Sequence, residues 1–271
     1  MYEDQSPSFS GAALKHIAIA AMLIDHIGYG IVWRYILPVY GESFNVFYIF
    51  LREIGRLAFP LFSFLVAEGA IHTSNKARYL LNMSVFALIS EVPFDILYKR
   101  TMIYPEAQNV FFTLSLGLSA ILVYDLVKIF CEKKDLSVIK ERLLITLFFI
   151  PFVLMAFFLR SDYGATGVLL IFLLYVLRGR YRIIMIAGVF ILTVVNSFES
   201  ALLDLIDRGA FPPAKDITDK ICVELTTIVS FMLISMYNGK RGRQAAKYLY
   251  YAFYPIHLLV IWAIGRLIFG R

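Results

Sequence analysis

The chain has 271 residues, 60% of them hydrophobic and 17% charged, against an apolar share of about 45–50% in ordinary globular domains. With a mean hydropathy of +0.73, this excludes a disordered chain, a disulfide-framed secreted module and an ordinary soluble enzyme. A net charge of +6 would suggest nucleic acid for a soluble protein, but in a membrane protein it reflects basic loops at the negative face of a bilayer.

Crossing the hydrocarbon core takes about 20 mostly apolar residues. In chain order, such runs lie near 13–33, 53–71, 79–98, 109–130, 142–159, 163–177, 183–198, 220–237 and 248–269. They predict an all-α, polytopic membrane helix bundle of about nine or ten transmembrane helices in a single integral domain over 1–271. Residues 38–51 are apolar but hold Pro38, Gly41 and Glu42, so they read as a surface-lying helix or a long lead-in to the second span. The first dozen residues lack a basic region and a small-residue cleavage site, so no cleaved signal peptide is expected. Cys131 and Cys222 have no disulfide-framework or zinc-ligand spacing around them. No repeat of the inverted-transporter kind is visible.

Counting Lys and Arg orients the chain. With the N-terminus in the cytoplasm, the inner loops carry fifteen cations, among them Lys15, Lys76, Arg78, Arg178 and Lys240, against nine outside. The longest outer loop, 199–219, is acidic on balance. The chain therefore reads as multi-pass, with a cytoplasmic N-terminus.

Polar groups inside spans are where function is sought, because a charge at mid-bilayer costs about 2.5–3.5 kcal/mol even on the lenient insertion scale. Asp25, His26, Arg56, Glu68, Glu91, Asp95, Glu224, His257 and Arg266 are such groups. At about 1.5 Å per residue, several of them, with Asn109 and Asp162 at span starts, fall in one outer-half layer. Lys15 and His26 lie eleven residues apart. On an α-helix that returns to the same face, about 16 Å along the axis, close to the reach of a pantetheine arm from phosphate to thioester. A cation there could hold phosphate while the imidazole meets the acyl carbon. The bland alternative is a snorkelling lysine and a satisfied core histidine. Asp25 is about 100° round the helix from His26, so it need not orient that ring and could pair with an arginine of a neighbouring helix.

Other positions carry two readings each. Glu91 and Asp95 share one helix face across Pro93, and either build a pocket or pair with Arg56 or Arg100. Tyr254 and His257 flank Pro255, where a kink could aim a polar group into a cavity. Glu68 either lines the pocket or pairs with Lys76 and Arg78. Asn109 could simply cap the fourth span, and Asp162-Tyr163-Gly164 could be a turn and helix start.

Several strings resemble the TraX family: Leu14-Lys15-His16-Ile17 through Asp25-His26-Ile27-Gly28, Gly55-Arg56-Leu57-Ala58-Phe59-Pro60, Glu91-Val92-Pro93-Phe94-Asp95, Gln108-Asn109-Val110-Phe111-Phe112-Thr113, Asp162-Tyr163-Gly164 and Tyr254-Pro255-Ile256-His257-Leu258. They run in order over nearly the whole chain. The resemblance implies a multi-pass protein of the bacterial inner membrane, in a family whose namesake is linked to N-terminal acetylation of F-type pilin. Lys15 and His26 are also similar to the basic-x10-His motif of polytopic membrane O-acyltransferases, in which the histidine is the catalytic base.

By that carry-over, His26, with Asp25 beside it, is the catalytic group. Lys15, with Lys76 and Arg78, binds the donor, and Arg56, Glu68, Glu91, Asp95, Asn109, Asp162, Tyr254 and His257 line the acceptor pocket. The expected reaction is acetyl transfer from acetyl-CoA to an amine or hydroxyl on a pilin-like peptide, sugar or glycan, by general base or through an acyl-His26 intermediate. No metal and no nucleic acid are expected. The rival reading is a proton-coupled transporter or channel, since buried carboxylates and histidines also make proton relays.

Overall fold

Ser10 starts the first helix for a local reason. Its backbone is extended and its hydroxyl accepts from the Ala13 N–H at 3.2 Å, satisfying one of the donors a helix start leaves open. The computed structural model describes residues 8–213, 225–243 and 247–270. Among these the chain is almost wholly helical, with two isolated bridges, Phe9–Tyr237 and Gln108–Ser161, and no strand. That is the answer a bilayer imposes, because a helix satisfies its own backbone groups where water cannot.

The elements are α1 (Gly11–Ile27), a π-helix (Gly28–Ile36), α2 (Leu37–Tyr40), a 3-10 turn (Gly41–Phe44), α3 (Asn45–Gly55), α4 (Ala58–His72), α5 (Lys76–Lys99) and α6 (Val110–Lys133). They continue as α7 (Val138–Phe158), α8 (Gly164–Val176), α9 (Tyr181–Phe190), a second π-helix (Ile191–Val195), α10 (Asn196–Arg208), α11 (Leu225–Ser235) and α12 (Lys247–Phe269). Six helical runs among the described residues are long and apolar enough to cross a membrane, and α8 and residues 226–235 are shorter apolar helices. The first run covers 62 residues, 11–72, and contains two of the expected spans, 13–33 and 53–71. α8 and residues 226–235 fall in two more of the expected stretches. The start of the 220–237 stretch, with Cys222 and Glu224, lies outside the described residues, as does the loop's acidic pair Asp216 and Asp219. The protein is a multi-pass, all-helical membrane protein.

Between the first two spans the structure chooses the lead-in. Gly41 takes φ +66°, a conformation open to glycine and costly for other residues, and reverses the chain. α3 then packs back along α1 and leads into α4, so residues 38–51 do not lie apart as a surface helix.

The chain divides into two compact units, one of Met1–Leu65, Val92–Tyr104 and Glu224–Arg271, the other of Val66–Glu91 and Pro105–Val223. In the first, the π-helix packs against α12. Gly30 makes the approach possible, since a Cβ there would meet Ile261 at 2.6 Å and Leu97 at 2.9 Å. Leu14, Leu61, Leu97, Phe231, Ile234 and Leu258 are its fully buried large side chains.

In the second unit α6 packs on α7 and α8, with Ala120, Ala156 and Val168 at the centre and Phe149 and Phe172 closing over them. Small residues bring backbones together where lipid supplies no hydrophobic drive. The start of α8 has no local cap, because Tyr163 and Gly164 take φ +63° and +40°. Glu199 of α10 reaches in instead and accepts from the Ala165 and Thr166 N–H groups at 2.8 Å each, the charge a helix N-terminus favours. Asp162-Tyr163-Gly164 is thus the turn and helix start that one reading expected.

A Cβ at Gly117 would sit 2.5 Å from the Ile171 side chain. Gly117→Val is expected to overpack this seam by about 1–3 kcal/mol and to lower the thermal midpoint of detergent-held protein. Ile186→Val, at an exposed site, should leave the midpoint where it was.

Candidate active site

His26 stands at the end of α1, two residues before the chain widens into the π-helix, a backbone form that recurs at functional sites. The imidazole is buried, 7% exposed, and meets edge to edge that of His257 from α12, itself 5% exposed. The ring centroids are 4.8 Å apart with planes 10° off parallel. Nδ1 of His26 is 2.5 Å from Nε2 of His257, and Nδ1 of His257 is 2.7 Å from the Phe253 carbonyl oxygen.

These contacts assign the protons. A carbonyl only accepts, so Nδ1 of His257 carries a hydrogen, and in the neutral ring its Nε2 is then the acceptor. His26 must therefore donate through Nδ1–H. Its Nε2 is left with the lone pair and has no hydrogen-bond partner among the described residues. Tyr98 and Tyr254 present edge-on contacts to His26 at 6.0 and 5.9 Å. The result is a nitrogen lone pair on a ring held from behind by a second imidazole, with two tyrosine rings edge-on beside it. The same logic of an orienting partner that fixes tautomer and aim operates in hydrolase triads.

Asp25 has a different task. It accepts from Arg52 Nη1 of α3 at 2.7 Å, the neighbouring-helix arginine that the sequence allowed for, and makes no hydrogen bond to His26. Gly55 permits this approach, since a Cβ there would collide with the Asp25 side chain. Asp25 was expected beside His26 in the catalytic pair; His257 holds the imidazole, and Asp25 joins α1 to α3. Asp95, 1% exposed, accepts from the Tyr104 N–H at 2.6 Å, which ties the end of α5 to the following loop. The alternative of a pair with Arg56 or Arg100 is therefore not realised for Asp95. Arg56 reaches Glu53 at 3.3 Å.

The remaining pocket candidates belong to the second unit. Asn109 caps α6, its Oδ1 accepting from the Phe111 N–H at 3.0 Å, while its amide donates to Glu91 and to the Ala87 carbonyl, the latter at 2.8 Å. Asp162 enters through its backbone, which accepts from the Thr113 hydroxyl. Glu68 pairs with Arg178 at 2.9 Å and His72 at 3.2 Å, in place of the expected Lys76 and Arg78. Lys76, expected to bind the donor, is held by Asp125 at 2.5 Å, which also accepts from the Tyr175 hydroxyl at 2.8 Å. Arg78 is exposed at the start of α5. Lys15 stands 4.5 Å over the Tyr250 ring, on the same unbroken helix as His26.

Sequence reasoning passed over Arg52, Tyr98 and Phe253. Tyr98 follows Asp95 by three residues and so shares its helix face, a signal that was available. Nothing local marks the Phe253 carbonyl. Among the described residues no group of three or more His, Cys, Asp or Glu side chains could hold a metal ion.

The family model described as TraX protein matches residues 10–265, from the cap of α1 through most of α12. The chain belongs to the TraX family. It is also similar to a protein of Dichelobacter nodosus named "Probable fimbrial assembly protein FimC, serogroup H1", 28% identical over 266 residues, which cover 93% of this chain and 94% of that protein. No solved structure matches. The TraX match contains both histidines of the buried pair.

In this TraX-family chain, Asp25→Ala is expected to cost about 1–3 kcal/mol by stranding Arg52. The double variant Asp25→Ala, Arg52→Ala should recover part of that loss. A double-mutant cycle on the thermal midpoint measures the coupling.

Proposed function

We propose that the protein is an integral-membrane acyltransferase that moves acetyl from acetyl-CoA, supplied at the cytoplasmic face of a bacterial inner membrane, to an amine or hydroxyl acceptor. The observation that carries this reading is the His26–His257 pair, which leaves one nitrogen lone pair on a ring held from behind by a second imidazole. Membership of the TraX family supports a link to pilin assembly or modification. The relative's printed name keeps a pilin-like peptide amine among the acceptors, beside a sugar or glycan hydroxyl.

The chemistry follows from the assigned tautomers. Nε2 of His26 takes the proton from the acceptor N–H or O–H as that nitrogen or oxygen attacks the thioester carbonyl carbon. The ring becomes an imidazolium, and its Nδ1–H, pointed at Nε2 of His257, makes a stronger charge-assisted hydrogen bond than before. His257 is in turn kept in the accepting tautomer by the Phe253 carbonyl. The C–S bond then breaks, and the proton on Nε2 passes to the departing sulfur, giving free coenzyme A and the acetylated acceptor. Lys15, about 16 Å along α1 from His26 at 1.5 Å per residue, faces the donor's phosphates with the N-terminus on the cytoplasmic side. Tyr98 and Tyr254 exclude water that would otherwise hydrolyse the thioester.

Acetyl-CoA turnover by nanodisc-held protein, with membrane extract as acceptor source and mass spectrometry of the products, tests the reading. His26→Ala should lower kcat by about 10²–10⁴-fold, the range of a lost general base. His257→Ala should lower kcat with little change in KM for acetyl-CoA, whereas Lys15→Ala should mainly raise that KM. A wild type that consumes no acetyl-CoA with any extract would sink the transferase reading. Proton-coupled flux in liposomes would then favour the transporter.

A further inference from the structure

Eight residues beyond His26, within the π-helix, Arg34 carries a charge that the proposed chemistry does not use. Among the described residues its side chain makes two contacts. Nη2 donates to the Tyr98 carbonyl at 3.0 Å, and the guanidinium carbon stands 5.6 Å from the Tyr29 ring centroid. Its Nε is buried with no hydrogen-bond partner. Two other arginines of the same unit have carboxylates, Arg52 that of Asp25 and Arg56 that of Glu53. Asp95, the acid at this end of α5, is turned to the Tyr104 N–H. Among the described residues Arg34 has no carboxylate partner, and a half-buried cation among apolar side chains costs free energy until an anion reaches it.

Its setting selects the anion. A guanidinium offers a planar fork of donors that matches the oxygens of a phosphate or carboxylate. The fork is held still by the Tyr98 carbonyl, which also accepts from the Tyr29 hydroxyl at 3.3 Å, while the Tyr29 ring stacks on Tyr98 at 4.3 Å and on Trp33 at 4.9 Å. Lys99 and Arg100 follow Tyr98 directly, Lys99 standing 4.5 Å over the Tyr104 ring. Tyr98 links this cluster to the base, because its ring touches His26 edge-on. Along the axis, Arg34 is at most about 12 Å from His26 at 1.5 Å per residue. Trp33, 44% exposed, and Ile27 turn apolar surface outward beside it.

We propose that Arg34, with Tyr29 and Tyr98, forms a subsite for a phosphate-type oxyanion carried by the acyl acceptor, whose apolar part lies along the exposed side of this helix. The proposal rests on the acyl-transfer reading for the word acceptor, but the binding itself does not depend on turnover. The Arg34 guanidinium beside Tyr29 disfavours an acceptor that is cationic at this point, and the oxyanion subsite therefore narrows the acceptor class.

The test is binding to purified protein in zwitterionic phosphatidylcholine nanodiscs, with decyl phosphate, decanol and inorganic phosphate as probes. Wild type and His26→Ala should both bind decyl phosphate saturably, one per protein. Arg34→Gln should bind it at least about tenfold more weakly, the loss expected of a charge-assisted hydrogen-bonded pair. Decyl phosphate bound far more tightly than inorganic phosphate assigns the site to a lipid-like acceptor; equal binding supports the same oxyanion site with free phosphate as its source. Arg34→Lys keeps the charge without the fork and serves if Arg34→Gln does not fold; it should weaken binding several-fold. Unchanged affinity in either variant, or decanol binding as well as decyl phosphate, overturns the proposal. Oxyanion binding without any acetyl transfer leaves the subsite and removes the transferase, while transfer without oxyanion binding does the reverse.

Discussion

The hydrogen bond between His26 and His257 joins α1 to α12 across 231 positions of the sequence. Two neutral imidazoles can share one proton only if each has a defined tautomer, and a third group must impose that choice. The Phe253 carbonyl, one turn back on α12, does so. The outcome is directional, with one end of the chain of donors closed on backbone and the other ending in a lone pair. Away from water such an arrangement is costly to misassemble, because an unmet polar group in low dielectric loses several times what its hydrogen bond contributes in net terms.

The same constraint accounts for features that otherwise look unrelated. Gly55 lacks a side chain so that α3 can bring Arg52 to Asp25. Glu199 crosses from α10 to cap a helix whose first residues cannot cap themselves. Asn109 caps its own helix with one end of its amide and serves α5 with the other. In each case a polar group that a soluble protein would leave to water is given a protein partner. Arg34 is among the groups only partly provided for, since its Nε is buried without a hydrogen-bond partner among the described residues.

The proposed transferase and the rival transporter use the same residue types, and composition does not separate them. What separates them is direction. The carbonyl behind His257 closes one end of this chain of donors, and that closed end is what favours the proposed transferase over a relay that passes protons through. The family match spans this pair, and the relative bearing a fimbrial name is covered almost end to end, so the two histidines belong to the matched body of the chain and not to an appendage.

Apolar run length determined the fold class, because the hydrocarbon thickness imposes a near-fixed count of residues per crossing. The TraX motifs, Lys15 and His26 on one face, the capping Asn109 and the helix start at Asp162-Tyr163-Gly164 were legible for similarly local reasons, since each depends on spacing within a turn or a single helix. Partners were not legible. That Asp25 answers Arg52, that Glu68 answers Arg178 in place of Lys76, and that His257 orients His26 are matters of which helix faces which. Spacing within a helix is set by the chain's own covalent geometry. The meeting of side chains far apart in sequence is set by packing, and only the tertiary structure decided it.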